Sequence, residues 1–465
     1  MIKKIFSPRM RMFLKIVVSL LLASCASPIK KSEFHLPPID EQVIGSNGMK
    51  VLFVPNSTLP QVTFLAMVKT GSRHEDAKYS GLNMFTSGML RKGTLKKNAD
   101  QVADSFGAIG SELLITPGQD FTTISAQVLS PYREELFQNF VEVLKSPRFA
   151  DVEIEKLRSQ YEASLKKSSD NPDTVIDLQA DAYLFGEHPY GRNIMGTSES
   201  LKTISKKDIQ QHYQKFYQPS NMVIAVSGQI DDADKKKIIK ELSTWTGSSA
   251  PVVPMPGVSQ VQQLQMKFVS KPGLKQTQIR FQRIGVQRSH PDILKLRLAS
   301  EILGGSFGTR LMTEIREKRG LTYSISAGTD PKKDSGVFEI STFTKNETVE
   351  KIITETLAVY NQFLKEGVTE YELKSAKAQM LGRFPRLIET PDQLAMNLVA
   401  LEYMGVDGRS YFSTFPEKIN SYSVKEINEA LREFLGPLKI TVYGDPSIGA
   451  QLKNWNPSQS TFSSL

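Results

Sequence analysis

The chain is poor in the side chains that most often bind metals or form cross-links. Its 465 residues include one cysteine and five histidines. One cysteine excludes a disulfide within the chain and a cysteine-based zinc module. No two histidines fall within one helical turn, so the sequence indicates no substitute histidine metal site. Each histidine is predicted to be a surface or hydrogen-bonding residue; they stand at positions 35, 74, 188, 212 and 290.

Long blocks of one charge are missing as well. The formal net charge is +9, but residues 1–24 contain five basic and no acidic residues, so the remainder carries +4. There is no block of five or six like charges and no interleaving of basic and aromatic residues. We therefore expect no nucleic-acid partner.

The N-terminus has a basic lead and an apolar run over 13–23 that is too short to span a membrane. This is typical of a secretory signal, predicted over 1–24. Leu22-Ala23-Ser24-Cys25 resembles the bacterial lipoprotein box, in which the cysteine carries the lipid. We therefore expect an exported lipoprotein, anchored by Cys25 at the periplasmic face of the outer membrane, because multiple acyl chains anchor durably. The alternatives are a plain secreted protein or an uncleaved anchor, and the choice between inner and outer membrane stays open.

Two segments lack hydrophobic periodicity and divide the rest of the chain. Residues 25–44 are polar and contain proline, as in a tether, so folded structure is expected to begin near Gly45. Residues 246–263 combine Pro, Gly, Ser and Gln, as in a linker. The predicted domains are therefore 45–245 and 264–456.

The second domain repeats the first at an offset of roughly 215–218 residues. Similar pairs occur in the same order in both halves, which predicts a duplicated unit. The expected fold is α+β, with two homologous domains of about 200 residues, each an antiparallel-rich sheet packed with helices. Leu59 and Gln61 correspond to Leu274 and Gln276, and residues 153–155 correspond to 370–372. Ser205 and Ile209 correspond to Ser423 and Ile427, and residues 224–228 correspond to 440–444.

Four motifs together resemble the insulinase/pitrilysin family of inverted zinc peptidases. They are GLNMFTSGMLRKGT (81–94), DNP (170–172), HPYGR (188–192) and LGGSFGTRLMTEIREKRGLTYS (303–324). The resemblance covers nearly all of 45–455. It implies that the chain forms half of a peptidase clamshell around a peptide chamber, and that Tyr190 or Arg192 could reach that chamber.

In this family the first motif carries H-x-x-E-H, whose two histidines hold zinc while the glutamate acts on the bound water. When the chain is aligned with this motif, Met84 and Gly88 replace the histidines and Ser87 replaces the glutamate. Ser164 replaces the remaining zinc ligand of the family, a glutamate on a later helix. Zinc needs three or four converging imidazole, thiolate or carboxylate donors. The resemblance therefore implies a chain without zinc or another cofactor of its own. The simpler alternative is that 81–90 is only an apolar core helix.

The last motif keeps an arginine and a tyrosine seven residues apart, Arg316 and Tyr323. A helix is predicted to end at Gly320 and a strand to begin at Tyr323. In family members such a pair binds the substrate backbone and stabilises the reacting carbonyl, and a zinc-free subunit supplies it to its partner. The alternative is that Arg316 pairs with Glu314 or Glu317 while Tyr323 packs in the core.

The resemblance implies a non-catalytic subunit of a heteromeric zinc metalloendopeptidase. It would be inactive alone, bind extended peptide as an added strand, and act with a zinc-bearing relative in a heterodimer, with the zinc on that partner. The alternative is a non-enzymatic structural or peptide-binding lipoprotein with an inactive peptidase fold. An active metallopeptidase with unusual ligands is the least favoured reading. The sequence leaves open the peptide, the cleavage preference and the identity of the partner.

Overall fold

A computed structural model describes residues 36–454 of the protein. The predicted signal 1–24, Cys25 and most of the predicted tether lie outside the described residues. No helix among 36–454 is both long enough and apolar enough to cross a membrane.

A six-stranded sheet forms the centre of the first half, residues 36–245. Its order is β1-β2-β6-β3-β5-β4, and all neighbours are antiparallel except β2 and β6. Every residue of β6 is buried, because this central strand is covered on both faces. The strands are β1 (Asp40–Val43), β2 (Lys50–Pro55), β3 (Gln61–Val68), β4 (Leu114–Pro117), β5 (Thr122–Leu129) and β6 (Met222–Gly228).

Eight α-helices belong to the described part of the first half. Their apolar stripes pack into one core around β2, β3, β5 and β6 and a second core around the first helix. The helices are α1 (Leu82–Met89), α2 (Ala99–Gly107), α3 (Arg133–Lys145), α4 (Asp151–Ser168), α5 (Pro172–Phe185), α6 (Ser198–Thr203), α7 (Lys206–Phe216) and α8 (Asp232–Ser243).

A five-stranded sheet, ordered β7-β11-β8-β10-β9, forms the centre of the second half, residues 264–454. Its one parallel pair, β7 with β11, corresponds to β2 with β6 in the first sheet. Apart from the additional edge strand β1, the strand order and the parallel pair are the same in both halves, which confirms the predicted α+β duplication. The strands are β7 (Gln265–Ser270), β8 (Gln276–Gly285), β9 (Ile325–Pro331), β10 (Gly336–Lys345) and β11 (Lys439–Gly444).

The helices of the second half surround its sheet in the same manner. A short π-helical turn, Met312–Glu317, lies between the first of them and β9. The helices are α9 (Ile293–Gly304), α10 (Val349–Glu366), α11 (Glu370–Arg383), α12 (Pro391–Tyr403), α13 (Gly408–Ser421), α14 (Val424–Phe434) and α15 (Gly449–Asn454).

One helix of each half packs on the sheet of the other half. Helix α5 packs on β8 and β11, and helix α12 packs on β2 and β6. The buried stripe of α5, Ile176, Ala180 and Leu184, recurs every four residues, the spacing of one helical face. The two halves therefore interlock, and the described residues from Pro37 onward form one compact unit.

Two local predictions differ from the structure. Ordered structure begins before Gly45, because β1 lies inside the predicted tether and pairs along its length with β2. Tyr323 does not begin a strand, since β9 starts at Ile325. The predicted linker 246–263 has no regular secondary structure, but Val261 is buried in a cluster with Phe185, Tyr190 and Ile284.

Candidate functional site

Helix α1 carries the positions that correspond to the zinc motif. Leu82, Phe85 and Met89 face the core, which is why this short segment is helical. The Glu75 carboxyl group caps its N-terminus by accepting hydrogen bonds from the backbone N–H groups of Gly81 (2.9 Å) and Asn83. Burial raises the Glu75 pKa to about 8.

The serine hydroxyls at two of the positions that correspond to the zinc motif form hydrogen bonds with nearby backbone carbonyls. The Ser87 hydroxyl donates to the Met84 carbonyl at 3.0 Å, within its own helix. The Ser164 hydroxyl, at an exposed position on α4, donates to the carbonyl of Gln160 at 2.9 Å. These side chains are therefore not poised as ligands.

Tyr161 fills the space beside Gly88. A Cβ built on Gly88 would overlap the Tyr161 hydroxyl and would lie 3.1 Å from the Leu157 side chain. That hydroxyl donates to the Met84 carbonyl at 3.2 Å, and the ring packs edge-on against Phe85 with centroids 5.6 Å apart. Burial raises the pKa of Tyr161 to about 12, so the phenol is neutral at physiological pH.

The residues at these positions do not fit a zinc ion. A thioether, a hydrogen atom and two hydroxyls replace the imidazole and carboxylate groups that zinc requires, and a tyrosine lies between α1 and α4. Within 36–454 no group of three or more His, Cys, Asp or Glu side chains is placed to hold a metal ion.

The fold brings His74 and His212 to the same aromatic side chain, a proximity that their spacing in sequence did not indicate. Their rings lie 5.7 and 4.8 Å from the ring of Phe216. Burial lowers the pKa of His74 to about 4, aided by Arg73, and that of His212 to about 3. Both are therefore neutral packing residues, and His212 contacts Asn83 of α1 at 3.3 Å.

The HPYGR motif lies where the two halves meet. Tyr190 is fully buried, and its hydroxyl donates to Asp120 at 2.6 Å. Arg73 also binds Asp120, at 2.9 Å, and reaches Asp334 in the second half. Tyr190 is therefore closed to a peptide, whereas Arg192 is half-buried and donates to the backbone carbonyl of Glu75 at 2.7 Å.

Arg316 lies in the π-helical turn, a feature that is frequent at functional sites. Met312 and Ile315 anchor the turn in the core, while Arg316 is half-buried. The Arg316 guanidinium carbon lies 5.1 Å from the centre of the Phe307 ring. Within the described residues Arg316 makes no ion pair, because the nearby Glu314 is bound by Lys318 at 2.6 Å and by Arg319 at 2.7 Å.

Tyr323 projects from a segment whose backbone is tied to β10. The Thr342 hydroxyl donates to the Ser324 carbonyl at 2.9 Å, and the Thr344 hydroxyl donates to the Leu321 carbonyl at 2.6 Å. The Tyr323 side chain itself is 79% exposed. The alternative of a paired Arg316 and a core-packed Tyr323 is therefore wrong.

Fold and site together define a peptidase-like clamshell half that lacks its metal ligands. Residues 50–198 match the family model for insulinase (peptidase family M16), and residues 203–380 match the model for the peptidase M16 inactive domain. The chain belongs to the insulinase (M16) peptidase family.

The proteins that resemble the chain include one that is named a zinc protease and one that is named a non-peptidase homolog. An uncharacterized zinc protease, YmxG, of Bacillus subtilis is 28% identical over 347 residues, 74% of this chain and 83% of that protein. The non-peptidase homolog YmxG of Helicobacter pylori is 25% identical over 399 residues, 85% and 91% of the two chains. The crystal structure of a peptidase M16 inactive domain from Pseudomonas fluorescens superposes with a TM-score of 0.81 and 26% identity, covering 88% of this chain and 98% of that one.

Tyr161 and Phe307 lie beside the two sites, and neither residue was predicted from the sequence. Tyr161 stands three residues before Ser164 on one helix, and residues at that spacing share a face. That spacing was a usable signal for Tyr161. Phe307 is nine residues before Arg316 and lies outside regular structure, so no periodicity links the two.

Proposed function

We propose that this protein is the zinc-free subunit of a two-chain zinc endopeptidase. The observation that carries the proposal is a contrast: the zinc positions hold Met84, Ser87, Gly88 and Ser164, while Arg316 and Tyr323 stay accessible to another molecule. A zinc-bearing relative would supply the metal and its activated water. Arg316 and Tyr323 would bind the peptide and the reacting carbonyl.

The chemistry of the pair suits this role. A guanidinium and a phenol both donate hydrogen bonds to an oxygen that gains negative charge. Arg316 has no carboxylate partner within 36–454, so its charge is available to a substrate oxygen. Tyr323 needs no rearrangement to reach solvent.

The test uses the soluble domain without its signal, mixed with the zinc-bearing chain that copurifies with the native protein from membranes. Cleavage of a quenched fluorescent peptide should need both chains. We expect Arg316→Ala or Tyr323→Phe to lower kcat/KM of the mixture by about 100-fold, the usual effect of losing one such donor. Arg386→Ala, on an exposed turn after α11, is the matched control. Unchanged activity in either site variant would refute the proposed role.

A second candidate is a non-enzymatic peptide-binding or structural lipoprotein. It is supported by the name of the Helicobacter pylori relative, a non-peptidase homolog. This candidate predicts that no zinc-bearing relative gains activity from the protein, although the two could still bind each other.

We also propose that Cys25 carries the lipid that holds the protein at the periplasmic face of the outer membrane. Metabolic labelling with a fatty-acid analogue should mark the native protein but not a Cys25→Ser variant. Membrane fractionation of the same pair then reports which membrane holds it.

A further inference from the structure

We propose that Phe307 is a positioning residue that holds the Arg316 guanidinium ready for the substrate. The inference rests on the proposed function, because it deepens the role of Arg316 in the zinc site of a partner. It starts from one contact that the sequence did not reveal, the Phe307 ring 5.1 Å from the Arg316 guanidinium carbon.

The backbone presents Phe307 outward from a turn between α9 and the π-helical turn. Gly304 packs so closely on β9 that a Cβ there would lie 2.5 Å from the backbone nitrogen of Ala327. The Thr309 hydroxyl donates to the Ser306 carbonyl at 2.7 Å, and Gly308 has a positive φ of 81°. The turn is therefore held in place, while the Phe307 side chain is 76% exposed.

The contact differs from those of the neighbouring arginines. Arg310 binds Glu372 at 2.6 Å, and Arg319 binds Glu314 and Glu355 at 2.7 and 2.9 Å. Those carboxylates neutralise the charge and occupy the N–H donors. Arg316 rests on an aromatic ring within the 6 Å range of a cation–π interaction.

A cation–π contact orients a guanidinium without consuming its hydrogen bonds. The ring attracts the cation through its face, so the N–H groups at the edge of the guanidinium remain free for a substrate oxygen. A carboxylate in the same place would compete with that oxygen. Phe307 is thus suited to restrict Arg316 before peptide arrives, which lowers the entropic cost of forming the reactive complex.

The experiment compares Phe307→Ala, Phe307→Trp and Phe307→Leu in the assembled two-chain enzyme. We expect Phe307→Ala and Phe307→Leu to lower kcat by about 2- to 5-fold with a smaller change in KM, the range expected for losing such a contact at an exposed site. Phe307→Trp should retain activity, because tryptophan binds cations through its ring face at least as well. Tyr132→Ala is the matched control, since Tyr132 is also an exposed aromatic residue and lies in the first half, just before α3.

A double-mutant cycle separates positioning from a general structural effect. In an Arg316→Ala background, Phe307→Ala should lower the rate no further. An additional loss of the same size would overturn the inference. If Arg316→Ala itself leaves the rate unchanged, the proposed function fails; if Arg316→Ala is severe and Phe307→Ala harmless, only the inference fails.

A measurement on the isolated chain avoids dependence on the partner. In arginine-labelled protein, the side-chain Nε–Hε NMR signal of Arg316 should move when Phe307→Leu removes the ring current, whereas Tyr132→Leu in the first half should leave it in place. An Arg316 signal that does not respond to Phe307→Leu would contradict the proposed contact.

Discussion

At the residue scale, Gly88 and Tyr161 show how the region that corresponds to the zinc motif is packed. The tyrosine hydroxyl lies where a side chain at position 88 would begin, and it donates to the Met84 carbonyl. The packing between α1 and α4 therefore leaves no room for a larger side chain at position 88. A histidine at position 88 would meet this tyrosine before it could meet a metal.

Substituting Gly88 by alanine tests this packing. We expect Gly88→Ala to lower the free energy of unfolding by about 1–3 kcal/mol, the usual cost of overpacking a core. Combining it with Tyr161→Phe, which removes the overlapping hydroxyl, should recover part of that loss. Urea unfolding monitored by circular dichroism measures both effects.

Gly382 on α11 provides the control, because it too is helical but has nothing within 4 Å of an added Cβ. Gly382→Ala should therefore raise stability by about 0.5–1 kcal/mol through helix propensity alone. If Gly88→Ala behaved like Gly382→Ala, the proposed packing between α1 and α4 would be wrong.

At the scale of elements, helix α1 depends on a buried carboxyl group at its N-terminus. Glu75 is 6% exposed and accepts from the N–H groups of Gly81 and Asn83. Burial raises its pKa to about 8 and outweighs the opposing effect of these two hydrogen bonds. The carboxyl group is therefore protonated in the folded protein at neutral pH, whereas in the unfolded chain it ionises near pH 4.3.

This difference predicts a pH dependence. Below about pH 4 the Glu75 carboxyl group is protonated in both the folded and the unfolded state. Between about pH 4.3 and 8 only the unfolded chain releases the proton. The free energy of unfolding therefore falls as the pH rises through this range. Glu75→Gln should remove that decline, which amounts to at most about 1.4 kcal/mol per pH unit. Denaturant unfolding at pH 5, 6, 7 and 8 gives the difference, with the exposed Glu429→Gln as control. Parallel profiles for wild type and Glu75→Gln would refute the assignment.

Most elements could be predicted because their signals are local. Ser205 and Ser423 cap α7 and α14, each with an acidic residue three positions later, so both helix starts are visible in the sequence. The strand expected at Tyr323 failed because hydrogen bonds from Thr342 and Thr344 to the backbone replace regular strand pairing there. Such long-range contacts leave no periodicity to read.

At the scale of the whole molecule, the halves are joined by exchanged helices and by a buried polar cluster. Asp120 of the first half accepts from Arg73 at 2.9 Å, and its backbone carbonyl accepts from Tyr403 of α12 at 2.9 Å. On the opposite sheet, Arg280 of β8 binds Asp177 of α5 at 2.8 Å. The covalent linker is therefore one of several connections.

Cutting the linker should leave the halves together. A protease site inserted at Val252, whose side chain is 93% exposed, would be cleaved without disturbing the described cores. We expect the two fragments to elute as one species in size-exclusion chromatography, because α5 and α12 remain buried on the opposite sheets. A separately expressed first half should fail to fold, since β2 and β6 would lose their cover. Elution as two compact fragments would contradict the interlocked arrangement.

The amino-acid order alone determined the duplicated α+β plan, the membership of a zinc-peptidase family and the absence of zinc ligands from their expected positions, because each depends on residue identity and short-range spacing. Only the tertiary structure decided that Tyr161 fills the space beside Gly88, that Tyr190 is buried between the halves, and that Arg316 rests on Phe307 without a carboxylate partner. These relations join side chains from different elements. Packing and the competition among neighbouring charges determine them, and neither can be read from local periodicity.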